Sequence, residues 1–232
     1  MKSLKNTARR TGLGYLIIFI TGFFANFYTL ENMVVNNDAR LTAVNIAGHA
    51  SQFHMGVGAF ALMVLVDLIL AFPLYRLLKS TNNKMAMASS VLRFINGAVF
   101  ALALVNLIEV SLLTANPAQL NDLVMLLLER FNYVWTIGLL FFGLHLLLLG
   151  QLVFRSSIFP RLIGVFLQIA GISYLIDSGA QLWLNNYEAY RSIFEIIVIS
   201  GGVLGEFSFT LFLLMKGIKL TSQKREYTEL SL

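Results

Sequence analysis

The chain contains no cysteine. That absence excludes thiolate catalysis, disulfide staples and every cysteine-ligated metal or iron–sulfur centre. Charge is scarce as well. Asp, Glu, Lys and Arg make up 12% of the 232 residues, against roughly 25% in soluble domains. With 57% of residues hydrophobic, there is too little polar surface for an ordinary water-soluble fold. Proline occurs three times, and Pro73 is placed to kink the inner end of span two. Strand-length alternation of polar and apolar residues is missing, and a transmembrane barrel would need it. What is left is the helical solution to the bilayer, in which each segment satisfies its own backbone hydrogen bonds.

Six apolar runs bracket the length of about 20 residues that crosses a membrane. They cover about 13–30, 53–75, 87–113, 131–153, 162–177 and 193–215. Lys2, Lys5, Arg9 and Arg10 ahead of the first run resemble the start of a signal peptide. Glu31-Asn32-Met33-Val34 offers no small-residue cleavage site, however, so the run reads as a retained helix. After span one, Asn36-Asn37-Asp38 reads as a helix cap. Leu41, Val44 and Ala47 then share helical spacing, which fits a short interfacial helix. Asn116-Pro117 ends span three, and Pro117 is placed to open an interfacial helix through Asp122, Glu129 and Arg130 before span four. Trp183, Tyr187 and Tyr190 suit the membrane–water boundary between spans five and six.

Six spans put both termini on one side. That side carries thirteen of the seventeen Lys and Arg residues: Lys2, Lys5, Arg9, Arg10, Arg76, Lys79, Lys84, Arg155, Arg161, Lys216, Lys219, Lys224 and Arg225. The other side carries Arg40, Arg130 and Arg191, and Arg93 lies inside a span. The positive-inside rule then places both termini in the cytoplasm. The net charge of +5 is therefore an orientation signal, and no nucleic-acid partner is expected. The expected architecture is an all-α, polytopic six-helix transmembrane domain over residues 1–219, with a polar cytoplasmic tail over 220–232.

Each buried polar residue can then be given a depth, at about 1.5 Å per helical residue. Asp67 in span two, Arg93 in span three, His145 in span four and Glu206 in span six fall near one level, in the inner half of a core about 30 Å thick. Their faces agree with an inward orientation. Ala59, Met63, Asp67 and Ala71 form one row, Ser89, Arg93, Asn96 and Gly97 a second, and Gly202, Glu206 and Thr210 a third. Gly201 and Gly205 would let span six approach a neighbour closely. A second polar set, His54, Asn106, Glu109, Asp177 and Glu195 with Tyr174 nearby, falls near the outer surface. It reads as an acidic rim without a nearby span-borne cation. A bis-histidine haem is not expected, since His54 lies about 20 Å above His145 by the same rise, and no other cofactor or resident metal is indicated.

Ionisable groups inside a membrane are functional by default, and three readings fit these residues. The leading one is a ligand, ion or proton site at Asp67, Arg93, His145 and Glu206, with His145 as its titrating member and an outer rim that attracts a cationic or polar solute. The second is an intramembrane enzyme acting on a lipid, with a metal held by His54, Glu109, Asp177 and Glu195 as one version. The third is a salt-bridge network that only locks the bundle, because Arg93 cannot shed its charge and needs a carboxylate. A water-lined approach would favour the first, a lateral opening to lipid the second, and a dry sealed network the third. The partners expected are the lipid bilayer and a small-molecule, lipid or cation ligand.

Several segments together resemble a known family. They are Arg10 with Leu13-Gly14, the stretch from Asp67 that ends in Leu74-Tyr75-Arg76-Leu77-Leu78-Lys79, and Arg93-Phe94. To these are added Phe142-Gly143-Leu144-His145 with Leu149-Gly150, Phe159-Pro160-Arg161-Leu162-Ile163-Gly164, Tyr174-Leu175-Ile176-Asp177, and Gly205-Glu206 followed by Lys216-Gly217. The set covers nearly the whole chain and resembles the bacterial membrane family catalogued as domain of unknown function 4386, with Phe159 where leucine is more usual. The resemblance implies a six-helix protein of the bacterial cytoplasmic (inner) membrane and supplies no substrate.

Overall fold

A computed structural model describes residues 2–36, 38–113 and 121–216. The polar tail expected over 220–232 and the Asn116-Pro117 break lie outside them. Every regular element among the described residues is helical, and six segments are long and apolar enough to cross a membrane.

Span one is α1 (Lys2–Phe23), which continues through a π-helical stretch, Phe24–Leu30, into the short α2 (Glu31–Met33). A surface helix, α3 (Ala39–Gly48), follows, and Asp38 caps it by accepting from the Leu41 backbone N–H at 2.8 Å. Its buried face is Thr42, Ala43 and Ile46, packed toward span four, while Leu41 and Val44 point outward. Spans two to five are α4 (Ala50–Leu78), α5 (Asn83–Leu113), α6 (Asn121–Arg155) and α7 (Arg161–Trp183). Span six is α8 (Arg191–Gly202), a π-helical stretch over Val203–Phe207, and α9 (Ser208–Lys216). The interfacial helix expected ahead of span four is instead the first part of α6, which runs unbroken for 35 residues.

Neighbours in sequence pack as neighbours in space, and α9 returns to pack on α1, so the six spans close into a ring at the end that carries the termini. Glycine sets the tightest seam. A Cβ on Gly150 would stand 2.7 Å from the Gly164 carbonyl oxygen, and one on Gly164 would stand 2.7 Å from that of Gly150. Gly143 and Gly171 repeat the arrangement one heptad away, at 3.0 and 2.8 Å. Backbones that approach this closely gain dispersion and close polar contacts that lipid cannot replace. Gly205 similarly seats span six on the Phe166 carbonyl of α7, and Gly201 on Ala170 and Ser173. Two apolar cores fill the ring. One joins Leu74, Leu78, Leu149 and Phe209 at the end that carries the termini. The other joins Phe53, Phe60, Leu107 and Phe131 toward the opposite end.

Candidate functional site

Between the two cores sits Arg93, fully buried on α5. A guanidinium must keep its charge, so its donors have to be met within the bundle, and three other spans meet them. Its Nη2 donates to Asp67 Oδ1 of α4 at 2.5 Å. Nη1 donates to the Tyr15 hydroxyl of α1 at 2.8 Å and faces His145 Nε2 of α6 at 3.2 Å. Nε reaches the Asp67 backbone carbonyl at 3.4 Å. The guanidinium also lies over the Tyr15 ring, 4.8 Å from its centroid.

The partners are themselves held. Asp67 Oδ2 accepts from Asn96 Nδ2 at 2.9 Å. His145 Nδ1 lies 2.8 Å from the Ser89 carbonyl and 2.9 Å from the Ser89 hydroxyl. Arginine can only donate, so His145 Nε2 accepts and the ring proton sits on Nδ1, directed at Ser89. The structure thus brings Asp67, Arg93 and His145 into direct contact and adds Tyr15, Ser89 and Asn96. Tyr15 is the member that depth reasoning missed. The available signal was a tyrosine at the inner end of span one, directly ahead of the wholly apolar Leu16-Ile17-Ile18-Phe19-Ile20.

Glu206 stands apart from this knot. It lies in the π-helical turn of span six, and its Oε1 accepts from the Tyr174 hydroxyl of α7 at 3.1 Å. It is near enough to Arg93 and Asp67 to interact with both electrostatically, yet it makes no ion pair among the described residues.

Above Asp67 and Glu206 the ring lines a half-open cavity of about 980 Å³. Its walls are aromatic and aliphatic, with Phe60 and Met63 from α4, Phe100 from α5, Trp135 and Phe142 from α6, and Phe19 and Phe23 from span one. Trp135 stacks flat on Phe100 with centroids 3.7 Å apart. Asp67, Glu206 and Tyr174 mark the deep end, and Asn26 and Asn132 mark the other. His145 and Arg93 do not line it; they lie behind Asp67.

The outer residues divide: Asp177 and Glu195 lie near enough to interact electrostatically, and His54, Asn106 and Glu109 stand apart from them. His54 Nε2 contacts the Ser111 carbonyl at 3.2 Å, and Asn106 donates to Ala103 of its own helix. Glu109 is exposed on α5. Asp177 accepts from Tyr187 at 2.7 Å and from Gln181 at 3.1 Å. Glu195 pairs with Arg191 at 2.9 Å, and Arg191 also meets Glu188. The expectation of an acidic rim without a cation therefore needs correcting, because Arg191 stands among those acids. Equal depth does not give equal azimuth, which is why the set does not converge. Among the described residues no three His, Asp or Glu side chains lie close enough to hold a metal ion. Outside the membrane, the Tyr187 phenol is pushed above its ordinary range by burial and by the Asp177 carboxylate it donates to.

Comparison with known proteins agrees with this architecture. A family model described as "Domain of unknown function (DUF4386)" matches residues 10–217. An "Uncharacterized protein" of Archaeoglobus fulgidus is 31% identical over 165 residues, covering 71% of this chain and 85% of that protein. No solved structure matches the chain. With its six apolar spans and a family match over nearly all of them, this chain is a multi-pass membrane protein that belongs to the DUF4386 family.

Proposed function

We propose that this protein binds a small amphipathic molecule inside the membrane, holding a hydrogen-bond-donating, cationic head against Glu206. The observation that carries the reading is the cavity's polarity. Its walls are apolar, and its deep end offers carboxylate oxygens and a phenol. Its volume of about 980 Å³ matches the upper range of small-molecule sites, about 300–1,000 Å³. Asp67 is already neutralised by Arg93, so Glu206 is the acid left to a ligand. In this reading the Asp67–Arg93–His145–Tyr15 knot is the rigid floor that positions the site, and ligand exchange belongs to Glu206, which lines the cavity, and not to His145, which does not. A cation in an apolar chamber needs a partner of this kind, because no water solvates it there.

The orientation proposed with this reading puts the termini in the cytoplasm, on the strength of the thirteen-to-three Lys and Arg asymmetry. The proposed location, which rests on the family resemblance, is the cytoplasmic membrane of a bacterium. A lipid-active enzyme, with the same cavity as its substrate chamber, is the second reading. It is favoured by the exposure of the cavity-wall residues Phe23 and Phe27, but it would need a nucleophile or activated water at Glu206, and the tyrosine there is engaged as a donor to the carboxylate.

Trp135 in the cavity wall is a built-in reporter, and Trp183→Phe removes the only other tryptophan. Titration with dodecylamine in detergent micelles should change Trp135 emission saturably, and dodecanoate should not. A charge-assisted hydrogen bond contributes about 1.5–3 kcal/mol, so Glu206→Gln should weaken amine binding by about ten- to a hundredfold. Equal affinities for amine and carboxylate, or an unchanged isotherm in a folded Glu206→Gln protein, would defeat the proposal.

A further inference from the structure

We infer, resting on the reading above, that the ligand carries a hydrocarbon tail and enters from the bilayer, through a window between spans one and six in the leaflet away from the termini. The two spans meet at the window's floor, where Phe19 and Phe207 pack edge to face with centroids 5.9 Å apart. Below that, α9 packs on α1, with Phe209 against Tyr15. Above it, span six departs. No residue between Arg191 and Ser200 is buried, and α8 is held by α7. On span one the flank that turns toward span six carries Phe19, Phe23 and Phe27. Phe23 and Phe27 line the cavity and yet are exposed, Phe23 by 65%. Wall residues this exposed, in a cavity that is itself half open, mark the edge of an aperture.

The window's upper lip is polar. Glu31 at the end of span one lies near enough to Arg191 and Glu195 of span six to interact with both electrostatically. Phe19 and Glu31 are twelve residues apart, so the aperture is about 18 Å tall at about 1.5 Å per residue. That is close to one leaflet of a hydrocarbon core about 30 Å thick. Glu206 sits one residue from the floor, at Phe207. A molecule whose tail lies in that leaflet therefore reaches the carboxylate with its head, and the aperture needs no water. Both flanking spans are π-helical here, over Phe24–Leu30 and Val203–Phe207. Such turns recur at functional sites because they re-aim a helix face. In this protein they turn Thr29 onto Gly56 and Glu206 into the cavity.

The test uses the full chain with Trp183→Phe, reconstituted in vesicles of phosphatidylcholine with brominated acyl chains, which quench tryptophan on contact. Leu102→Trp in a chain lacking both native tryptophans is the reference. It is exposed to lipid and lies two residues from Phe100, the ring on which Trp135 stacks. An open window predicts that Trp135 is quenched as strongly as the reference and that dodecylamine reverses the quenching. Quenching far below the reference would overturn the window while leaving amine binding to stand or fall on Glu206. If brominated lipid quenches Trp135 but dodecylamine reverses it equally in Glu206→Gln, the window stands and the carboxylate reading fails. A second copy on the window would also overturn the inference, and it would appear as disulfide-linked dimers of Phe23→Cys in this otherwise cysteine-free chain.

Discussion

Arg93→Met is the sharpest perturbation of the buried knot. The substitution keeps a long side chain in the space but leaves Asp67 charged and without its cation, and it removes the donors to Tyr15 and His145. Breaking one half of a buried pair costs about 3–5 kcal/mol, most of it from the orphaned charge and not from the pair's net worth. Each kcal/mol moves the melting temperature of a chain this size by about 2–4 °C. The expected drop is therefore about 6–20 °C, read as loss of helical circular dichroism in detergent. Asp67→Asn should fall in the same range. The double variant should recover a large part of either loss, because neither charge is then stranded, and this coupling separates the pair from general damage. Single variants that melt within about 2 °C of the parent, far short of the drop a stranded buried charge implies, would refute the idea that this pair locks the four spans. So would a double variant as unstable as the sum of the singles.

Three further outcomes follow from other parts of the structure. Gly164→Ala places a methyl 2.5 Å from the Phe154 backbone nitrogen and should destabilise by about 1–3 kcal/mol through overpacking. Gly58→Ala meets nothing within 4 Å and should be neutral or stabilising by about 0.5–1 kcal/mol in thermal melts. Tyr187→Phe loses the hydrogen bond to Asp177 and should cost about 1 kcal/mol. In the parent protein the Tyr187 phenol is held protonated above its ordinary value of 10.0. The stability it contributes should be fully present below pH 10.0 and decline as pH rises through the folded-state value, measured by melts across alkaline pH.

The spans and half of the site were legible in the residues, for identifiable reasons. Apolar run length gave the six crossings. An arginine inside a span demanded a carboxylate, and counting depth found Asp67 and His145 as its company. Tyr15 escaped because a phenol carries no formal charge and so raised no demand for a partner. Depth also overreached. It grouped His54 and Glu109 with Asp177 and Glu195, and of these the last two lie near each other while His54 bonds elsewhere. The continuous α6 replaced an expected interfacial helix because the polar residues Asp122, Glu129 and Arg130 occur within a helix long enough to extend beyond the hydrocarbon. The cavity was not legible at all. A phenylalanine facing a void reads the same in sequence as one facing lipid, and nothing in Phe19, Phe23 or Phe27 distinguishes the two. The glycine seam is an intermediate case. Gly143, Gly150 and Gly164 stood out as family-like motifs, and only their reciprocal contacts across α6 and α7 explain them.

If the cavity is a binding chamber organised on Glu206, above a structural floor, its walls should be labelled by a bound amine. The most direct measurement is photolabelling of the reconstituted protein with a long-chain alkylamine that carries a photoactivatable group in its tail, followed by mass spectrometry of the adducts. Adducts are expected on cavity-wall residues such as Phe23, Met63 and Phe207, displaced by unlabelled dodecylamine and lost in Glu206→Gln. Adducts confined to lipid-facing positions such as Leu102, or wall adducts that survive in Glu206→Gln, would contradict a chamber organised in this way.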